Sequence, residues 1–455
     1  MVEPEIVDEH AALVASLTAR WPEHQVARGT GRIEAVLDLL GSPQTAAPVI
    51  HLTGTNGKGS TGLMIDALLR AQGLRTGRFS SPHLIDPVER IAIDGQPLSP
   101  ARFDDLWRQI APQVKIVDEM LIDGVRLTFF EAMTALAYAA FADAPVDVMI
   151  VEVGLGGAWD ATHVAPAEVV VVTPISYDHT HLLGTSLTEI AAEKAGLIEP
   201  GAYAVLAGQP AEAAVVLTQR CLEVGAQPLR EGVDFGVLDR RLAVAGQVLR
   251  LDTVASGPVD DLLLPLHGAA MAENAAVAVA AVEAFHGLHG VAPAVIADGL
   301  AAVVAPARTE LVHRGPPIVI DTCHNPAAVA ATLATMDEAF AFSPQIAIWG
   351  AMADKDVDGM CQLLEPAVAV IIATGLPDLP RSLPVAELAT RAEAYFGADR
   401  VLQAADLATA IDRAVELADA AGPSAGILIG GSVILAGRAR QLLAPDKPLA
   451  DASST

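Results

Sequence analysis

The chain has 455 residues, more than the ~100–200 residues usual for one domain, so we expect two or three domains. Hydrophobic residues make up 52% of the sequence and charged residues 18%, which excludes an intrinsically disordered chain. The formal net charge of −27 opposes general binding to nucleic acids or anionic membranes. An anionic ligand must therefore be held by local cationic groups.

Cysteine usage and the N-terminal sequence bear on the compartment. The spacing of Cys221, Cys323 and Cys361 fits neither a disulfide framework nor a zinc site. MVEPEIVDEH lacks the basic start and apolar run of a secretory signal, and no stretch approaches ~18 uninterrupted apolar residues. We expect a soluble, cytoplasmic monomer that binds small molecules, with neither nucleic acid nor membrane as a partner.

The first half of the chain alternates Val/Ile-rich runs with Ala/Leu segments of helical period. Strands are predicted at 48–52, 146–153 and 168–173, and helices at 60–72, 129–142 and 186–198. This pattern is typical of helices packed on both faces of a parallel sheet. It predicts a nucleotide-binding α/β domain.

The pattern changes between 232 and 266, where short alternating segments around an Ala-Gly turn predict a small β excursion. Helices predicted at 271–285 and 293–304 lead to a junction at 305–307. From Pro317 to Leu443 the β/α alternation resumes and predicts a smaller, Rossmann-like α/β domain. We therefore divide the chain into domains at 1–305 and 306–455.

A glycine-rich segment follows the first predicted strand and opens the next helix. It comprises Gly54, Thr55, Asn56, Gly57, Lys58, Gly59, Ser60 and Thr61. Glycines let backbone N–H groups converge on a phosphate, and the helix N-terminus adds positive potential. Lys58 is expected to contact the terminal phosphates of a nucleotide, and Ser60 to place its hydroxyl on Mg²⁺. A merely structural turn is the alternative.

Seven segments together resemble one enzyme family, the folylpolyglutamate synthase/dihydrofolate synthase family of the Mur ligase superfamily. They are GTNGKGS (54–60), SSPHLIDPVERI (80–91), VEVGLGGAWDAT (151–162), SYDHTHLLGTSLTEIAAEKAGLI (176–198), IDTCHNP (320–326), DKD (354–356) and GSVILAG (431–437). The resemblance covers nearly the whole chain and implies a Mur-ligase-like fold. It also implies an ATP- and Mg²⁺-dependent ligase that adds L-glutamate to a folate through an acyl phosphate. Such phosphoryl transfer needs a phosphate cradle, metal ions and cations rather than a protein nucleophile.

The resemblance also implies a metal site. Ser60, Glu152 and His179 would ligate Mg²⁺, although an imidazole ligand would also admit Mn²⁺. Lys194 would be carbamylated by CO₂ to give an anionic oxygen ligand, which requires a neutral amine. From the residues alone, a structural glutamate, a core or cap histidine and a solvated lysine remain the alternatives.

Further residues receive roles from the same resemblance. Arg308 would contact ATP phosphate, Asp321 the ribose and Asn274 the region near adenine. His324 would lie near the incoming amino acid and the transferred phosphate, and act with Lys58 and Lys194 as a catalytic residue. Glutamate binding is assigned to Ser81, Arg90 and Ser432. Turn serines and a surface ion pair are the alternatives for these three residues.

Several positions depart from the family pattern. They are Ala158, His163, Ala270, Met271, Ala307, Thr322 and Cys323. Two other functions therefore stay open: a related ligase that joins a different carboxylic acid and amine, and a nucleotide-binding protein without ligase activity. A Cys323–His324 nucleophile pair is disfavoured, because a buried cysteine usually acts as a small hydrophobe.

Overall fold

The computed structural model describes residues 3–21 and 27–445. Its strands are β1 (Val49–Thr53), β2 (Thr76–Phe79), β3 (Ile91–Ile93), β4 (Gln96–Pro97), β5 (Val148–Glu152), β6 (Val169–Val172), β7 (Tyr203–Leu206), β8 (Gln227–Arg230), β9 (Gly236–Ala243), β10 (Gly246–Asp252), β11 (Val259–Leu264), β12 (Glu310–Arg314), β13 (Pro317–Ile320), β14 (Gln345–Trp349), β15 (Val370–Ala373), β16 (Val401–Gln403) and β17 (Gly426–Gly430). Its helices are α1 (Glu3–Thr18), α2 (Gly31–Leu39), α3 (Lys58–Ala71), α4 (Pro100–Met120), α5 (Phe129–Asp143), α6 (Thr180–Leu183), α7 (Leu187–Ala195), α8 (Ala211–Val224), α9 (Ala269–Phe285), α10 (Pro293–Ala301), α11 (Pro326–Ala339), α12 (Val357–Leu364), α13 (Val385–Phe396), α14 (Leu407–Ala421) and α15 (Val433–Leu443).

The first sheet has eight strands in the order β4-β3-β2-β5-β1-β6-β7-β8. The six strands from β2 to β8 are parallel, and β3 and β4 form an antiparallel edge. Alternate residues of β6 enter two different cores: Val170 and Val172 face one, Val169 and Val171 the other. Burial on both faces explains the uninterrupted valine run, which the sequence correctly predicts to be a strand.

The order of the strands brings three loops to one edge of this sheet. β1 lies between β5 and β6, so the loops that follow these three strands meet at their carboxyl ends. The loop after β1 is the glycine-rich segment, β5 ends at Glu152, and the loop after β6 carries His179. A reversal of strand order is where parallel α/β sheets bind ligands.

The predicted β excursion is a three-stranded antiparallel sheet in the order β11-β10-β9. Its buried leucines, including Leu249 and Leu262, join the core that also holds α3 and α9. The excursion therefore belongs to the first α/β unit.

Among the described residues, no helix combines the length and apolar composition needed to cross a bilayer.

The third sheet has six strands in the order β12-β13-β17-β14-β15-β16, with only β12 antiparallel. Its central strands are buried on both faces and covered by α11 to α15. The connection from α10 to β12 contains the predicted boundary at 305/306, which stays a prediction.

Candidate active site

The glycine-rich loop is shaped by two close approaches. Gly54 has φ 132°, and a Cβ there would overlap Thr173 at the end of β6. Gly57 has φ 90°, and a Cβ there would lie 2.7 Å from the amide oxygen of Asn274 on α9. Only glycine accepts both the backbone conformation and the space at these positions. The loop is therefore held between β6 and α9, ahead of the N-terminus of α3.

Lys58 lies over the loop at the start of α3. Its Nζ donates hydrogen bonds to the carbonyl oxygens of Gly54 and Thr55, each at 3.2 Å. Ser60 and Thr61 follow on the buried first turn of the helix. An ammonium group above backbone N–H groups at a helix N-terminus forms a phosphate-binding site.

Glu152 is a buried carboxylate at the end of β5. The N–H of Ser81 lies 3.4 Å from its Oε2. Burial raises the pKa of Glu152, although the charges of Lys58 and Arg308 oppose this shift. A divalent cation beside this carboxylate would offset the cost of burying its charge.

Lys194 projects from α7 to the same loop. Its Nζ donates to the carbonyl oxygen of Gly54 at 2.7 Å, and the residue is only 4% exposed. Burial, and then the positive charge of Lys58, lower the pKa of Lys194 to about 7. A large share of this amine is therefore neutral near neutral pH, which is the form that reacts with CO₂.

His179 is the N-cap residue of the short helix α6 and has a left-handed conformation, with φ 48°. Burial, and then the charge of Lys355, lower the pKa of His179 to about 4. The imidazole is therefore neutral at physiological pH, as a metal ligand must be. Lys355 Nζ lies 3.4 Å from its Nε2.

Asp178, directly before His179, was not predicted to be a site residue. Its carboxylate accepts from Lys355 Nζ at 2.6 Å and lies 3.2 Å from His324 Nε2. Burial opposes its ionisation, but the hydrogen bond from His324 and the charge of Lys355 outweigh burial. They hold the pKa of Asp178 well below its usual range. Only two features of the sequence could have indicated this residue. Asp178 directly precedes His179, and its partner Lys355 belongs to the DKD segment.

The predicted metal ligands come together only in part. Glu152, His179 and Lys194 line one cavity, whereas Ser60 lies behind its wall in the first turn of α3. Within 3–21 and 27–445, no group of three or more His, Cys, Asp and Glu side chains is arranged to hold a metal ion. A carbamate on Lys194 would add the anionic oxygens that Mg²⁺ prefers, so this donor set fits the metal chemically.

Two adjoining cavities meet at this edge of the sheet. A cavity of about 140 Å³ is lined by the glycine-rich loop, Glu152, Lys194 and Arg308. A larger one of about 370 Å³ is lined by residues from both domains, including Trp159 and Lys355. Their shared lining consists of Ser81, Pro82, Gly154, Leu155, His179, His324 and Val433. The arrangement can hold a polyphosphate in one cavity and an organic acid in the other, with their reacting ends at the junction.

The predicted glutamate-binding residues all line the larger cavity. The Arg90 guanidinium is buried, donates through Nε to His83 Nδ1 at 2.9 Å and lies 5.0 Å from the centre of the Phe129 ring. Ser432 stands at the N-cap of α15, but its side chain makes no capping hydrogen bond. Both residues are therefore placed where a carboxylate could bind.

Two of the predicted nucleotide contacts lie close to the loop. The Arg308 guanidinium bonds the hydroxyl of Thr322 and lies 3.6 Å from the position of a Cβ on Gly59. Asn274 packs against Gly57, with its Nδ2 3.9 Å from the sulfur of Met271. Met271, one of the departures from the family pattern, therefore contacts Asn274, the residue assigned to the adenine region.

Asp321 is placed less favourably for the predicted contact with the ribose. Its carboxylate accepts hydrogen bonds from the N–H and the hydroxyl of Thr309 and from the N–H of Cys323, at 2.8 to 3.0 Å. It lines neither cavity described above. These bonds tie the turn after β13 to the segment before β12, and ribose binding by Asp321 stays a prediction.

Two of the departures are accounted for by their surroundings. His163 lies 3.4 Å from Glu199 and 3.0 Å from the carbonyl oxygen of Ala158, and lines neither cavity. Cys323 is buried, and burial, followed by the charge of Asp321, raises its pKa well above the ordinary value. A thiolate nucleophile is therefore disfavoured at Cys323.

The chain is similar in sequence to known ligases. Residues 307–433 match the Mur ligase family described as the glutamate ligase domain. The "Dihydrofolate synthase/folylpolyglutamate synthase" of Mycobacterium tuberculosis is 44% identical over 96% of this chain and 95% of its own length. The folylpolyglutamate synthase of Lacticaseibacillus casei is 36% identical over 78% of this chain and 83% of its own length.

Solved structures show the same architecture. Mycobacterium tuberculosis folylpolyglutamate synthase, complexed with ADP and AMPPCP, superposes with a TM-score of 0.93 at 43% identity, covering 97% of this chain and 100% of that chain. Escherichia coli FolC, in complex with DHPP and ADP, gives a TM-score of 0.82 at 30% identity, covering 95% and 97%. The predicted fold class, a Mur-ligase-like nucleotide-binding domain with a second α/β domain, is confirmed.

Proposed function

Since the chain belongs to the dihydrofolate synthase/folylpolyglutamate synthase family of ATP-dependent ligases, we propose that it adds L-glutamate to the carboxylate of a folate. ATP is converted to ADP and phosphate in this reaction. The acceptor is tetrahydrofolate or a polyglutamylated form of it, dihydropteroate, or both. The observation that carries the proposal is the pair of adjoining cavities, one built for phosphates and one for an acid, that share His179 and His324.

The chemistry explains why two cavities must meet. The acceptor carboxylate attacks the terminal phosphorus of ATP, the bond to the β-phosphate oxygen breaks, and an acyl phosphate forms as ADP leaves. The amine of glutamate then attacks the acyl carbon, loses a proton and displaces phosphate. Lys58 and Arg308 stand on the phosphate side, where they offset the charge that develops during transfer.

Mg²⁺ fits the wall of the smaller cavity, and Mn²⁺ could replace it. Glu152, His179 and a carbamate on Lys194, which border the cavity, would hold it, and Ser60 stays a predicted fourth ligand. When bound, the metal would neutralise phosphate oxygens. The lowered pKa of Lys194 and the buried carboxylate of Glu152 support this assignment.

The amino acid would enter beside the second domain. Arg90 offers a guanidinium fork to a carboxylate, and Ser81 and Ser432 offer hydroxyls around the same cavity. His324 lies at the junction of the cavities, where it would be near the incoming amine and the transferred phosphate. On the nucleotide, Asn274 would lie near adenine and Asp321 would contact the ribose.

A reconstituted reaction tests this function. Purified protein is given ATP, Mg²⁺, glutamate and either dihydropteroate or tetrahydrofolate, while phosphate release and product mass are followed. We expect phosphate only when every component is present, together with a product heavier by one glutamyl residue. Activity only with other acid and amine pairs would reveal a diverged ligase, and nucleotide binding without turnover would reveal a binding protein. Both outcomes contradict the proposal.

We also propose that the protein works as a monomer in the cytoplasm. The three free, buried cysteines suit a reducing compartment. Light scattering coupled to gel filtration tests the oligomeric state, with a mass near 47.0 kDa expected for a monomer. A mass near twice that value would contradict this part of the proposal.

A further inference from the structure

Asp178 is a carboxylate of the first domain whose nearest side-chain partners belong to the second domain, while the His179 imidazole of its own domain lies 3.9 Å away. It accepts from Lys355 Nζ at 2.6 Å and Asn325 Nδ2 at 3.2 Å, and lies 3.2 Å from His324 Nε2. Within its own domain, the one hydrogen bond described for the carboxylate comes from the N–H of His179 at 2.8 Å. The side chain is 9% exposed. We refer to Asp178, His324, Asn325 and Lys355 as the Asp178 contact.

The Asp178 contact forms only when the two domains are together. If the second domain moved away, the carboxylate would exchange its ion pair with Lys355 and its hydrogen bonds with Asn325 and His324 for contacts with water. A second pair crosses the same boundary: Asn56 and Asn325 exchange amide hydrogen bonds at 2.9 and 3.2 Å. Because Asn56 is part of the glycine-rich loop, the phosphate site is linked directly to the position of the second domain.

The partners of Asp178 line the places where chemistry would occur. His324 borders both cavities, and Lys355 borders the larger one. Asn325 caps α11, so its side chain joins Asp178 to the helix that follows His324. Holding these groups fixes the orientation of the His324 ring, whose Nδ1 lies 3.1 Å from the carbonyl oxygen of Thr322.

We propose that Asp178 is a positioning residue that couples domain closure to ligation by drawing His324 and Lys355 to the junction of the two cavities. The inference rests on the proposed function and adds a residue to it. Asp178 borders the smaller cavity, but its carboxylate is engaged by Lys355, Asn325 and His324, so we assign it no contact with nucleotide or acceptor. It acts through groups that make such contacts, and nucleotide affinity therefore should not depend on it.

Kinetics of Asp178→Asn test this inference, with Asp412→Asn, an exposed change on α14, as the matched control. A misplaced reacting geometry lowers turnover by about 100-fold. We therefore expect kcat of Asp178→Asn to fall by that order and KM for glutamate to rise. The Kd for AMPPCP should change by less than about threefold, the scatter of independent sites. Asp412→Asn should behave as wild type.

A double-mutant cycle identifies the partner. Lys355→Met should also lower kcat. The double variant, Asp178→Asn with Lys355→Met, should be about as impaired as the more impaired of the two single variants, because both changes remove the same contact. Fully multiplicative losses would overturn the coupling. Loss of AMPPCP affinity or an altered circular dichroism spectrum in Asp178→Asn would show a merely structural role and would also overturn it.

The two proposals fail separately. Wild-type protein that extends no folate overturns the proposed function, whichever way the variants bind nucleotide. Active wild-type protein whose Asp178→Asn variant keeps the wild-type kcat and KM overturns the inference alone.

Discussion

At the scale of single residues, Lys194 matters most for the proposed metal site. This lysine is buried, bonded to the carbonyl oxygen of Gly54, and has a pKa lowered to about 7. We predict that Lys194→Ala lowers turnover by about 100-fold, as expected when a group that builds a metal site is lost. Phosphate release measures the effect, and Lys115→Ala, which removes an exposed lysine from α4, is the control.

Chemical rescue separates the carbamate from the ammonium at the same position. A short carboxylic acid added to Lys194→Ala should restore part of the activity, because its oxygens can occupy the space of the carbamate. An added alkylamine should not. Restoration by the amine alone, or unchanged turnover in Lys194→Ala, would contradict the role assigned to this lysine.

The same group predicts a pH dependence. The pKa of Lys194 is lowered from 10.5 to about 7 by burial and then by Lys58, so the amine is protonated below that pH and neutral above it. Activity should therefore fall as pH drops through about 7, and added bicarbonate should oppose the loss. A pH–rate profile with controlled CO₂ measures this. The range from about pH 6 to about pH 8 brackets the pKa of about 7. Activity that stays constant over this range and does not respond to bicarbonate would contradict the prediction.

Sequence reasoning found the residues whose chemistry is conspicuous in a local pattern. Lys58 follows a strand and glycines, and Glu152 ends an otherwise apolar strand, so both could be singled out. Asp178 could not, because its partners lie about 150 or more positions away in the chain and only the fold brings them together. The same limit applies to Asp321, whose hydrogen bonds from Thr309 and Cys323 could not be read from the sequence.

At the scale of elements, the start of α7 fixes the helix that carries Lys194. Ser186 Oγ accepts from the N–H of Glu189 at 3.2 Å, and the Glu189 carboxylate accepts from the N–H of Ser186 at 3.0 Å. This reciprocal cap satisfies N–H groups that the helix itself cannot. We predict that Ser186→Ala destabilises α7 by about 1 kcal/mol.

Hydrogen–deuterium exchange of residues 187–195 measures that local loss. A change of about 1 kcal/mol corresponds to roughly fivefold faster exchange. Thr390→Ala, which removes a hydroxyl from the exposed face of α13, is the matched control and should leave α7 unchanged. Unaltered exchange in Ser186→Ala would show that packing, and not the cap, holds the helix.

Elements with a strong period or a clear boundary were predicted well. Alternating faces of β6, the excursion of β9 to β11 and the helix α9 agree with the sequence pattern. Other elements were not predicted, among them α1, α2, α4, α8, the parallel strands β2, β7 and β8, and the edge strands β3 and β4. Edge strands of two or three residues carry too little pattern to be recognised, and α4 contains Pro112, which usually argues against a helix interior.

At the scale of the whole molecule, ligation requires the two domains to meet over the substrates. The connection at 302–309 holds two non-glycine residues in the left-handed region, Ala307 at φ 53° and Thr309 at φ 47°. Such conformations are strained and often mark segments that move. Pro306 and its neighbours are therefore a candidate hinge for closure.

Small-angle scattering should detect that closure. We predict a smaller radius of gyration when AMPPCP and an acceptor folate are both present than in the protein alone. The variant Lys58→Ala should not bind nucleotide, because it lacks the ammonium above the glycine-rich loop. Its radius of gyration should therefore not change when the ligands are added. Equal radii for wild-type protein with and without both ligands would contradict a closing step.

The acidic exterior does not conflict with anion binding. The net charge is −27, but Lys58 and Arg308 line one small cavity, and screening limits distant charges to a range of about 8 Å in physiological salt. Composition opposes general binding to nucleic acids, but it could not reveal this local reversal of charge, which depends on the fold.

The central claim is that ATP activates the acceptor acid as an acyl phosphate. Transfer of a heavy-oxygen label tests it most directly: the carboxylate of the folate acceptor is labelled, and the released phosphate is analysed by mass spectrometry. One labelled oxygen should appear in each phosphate formed, because the acceptor oxygen stays on phosphorus when the amine displaces it. Unlabelled phosphate accompanying the glutamylated product would contradict the mechanism.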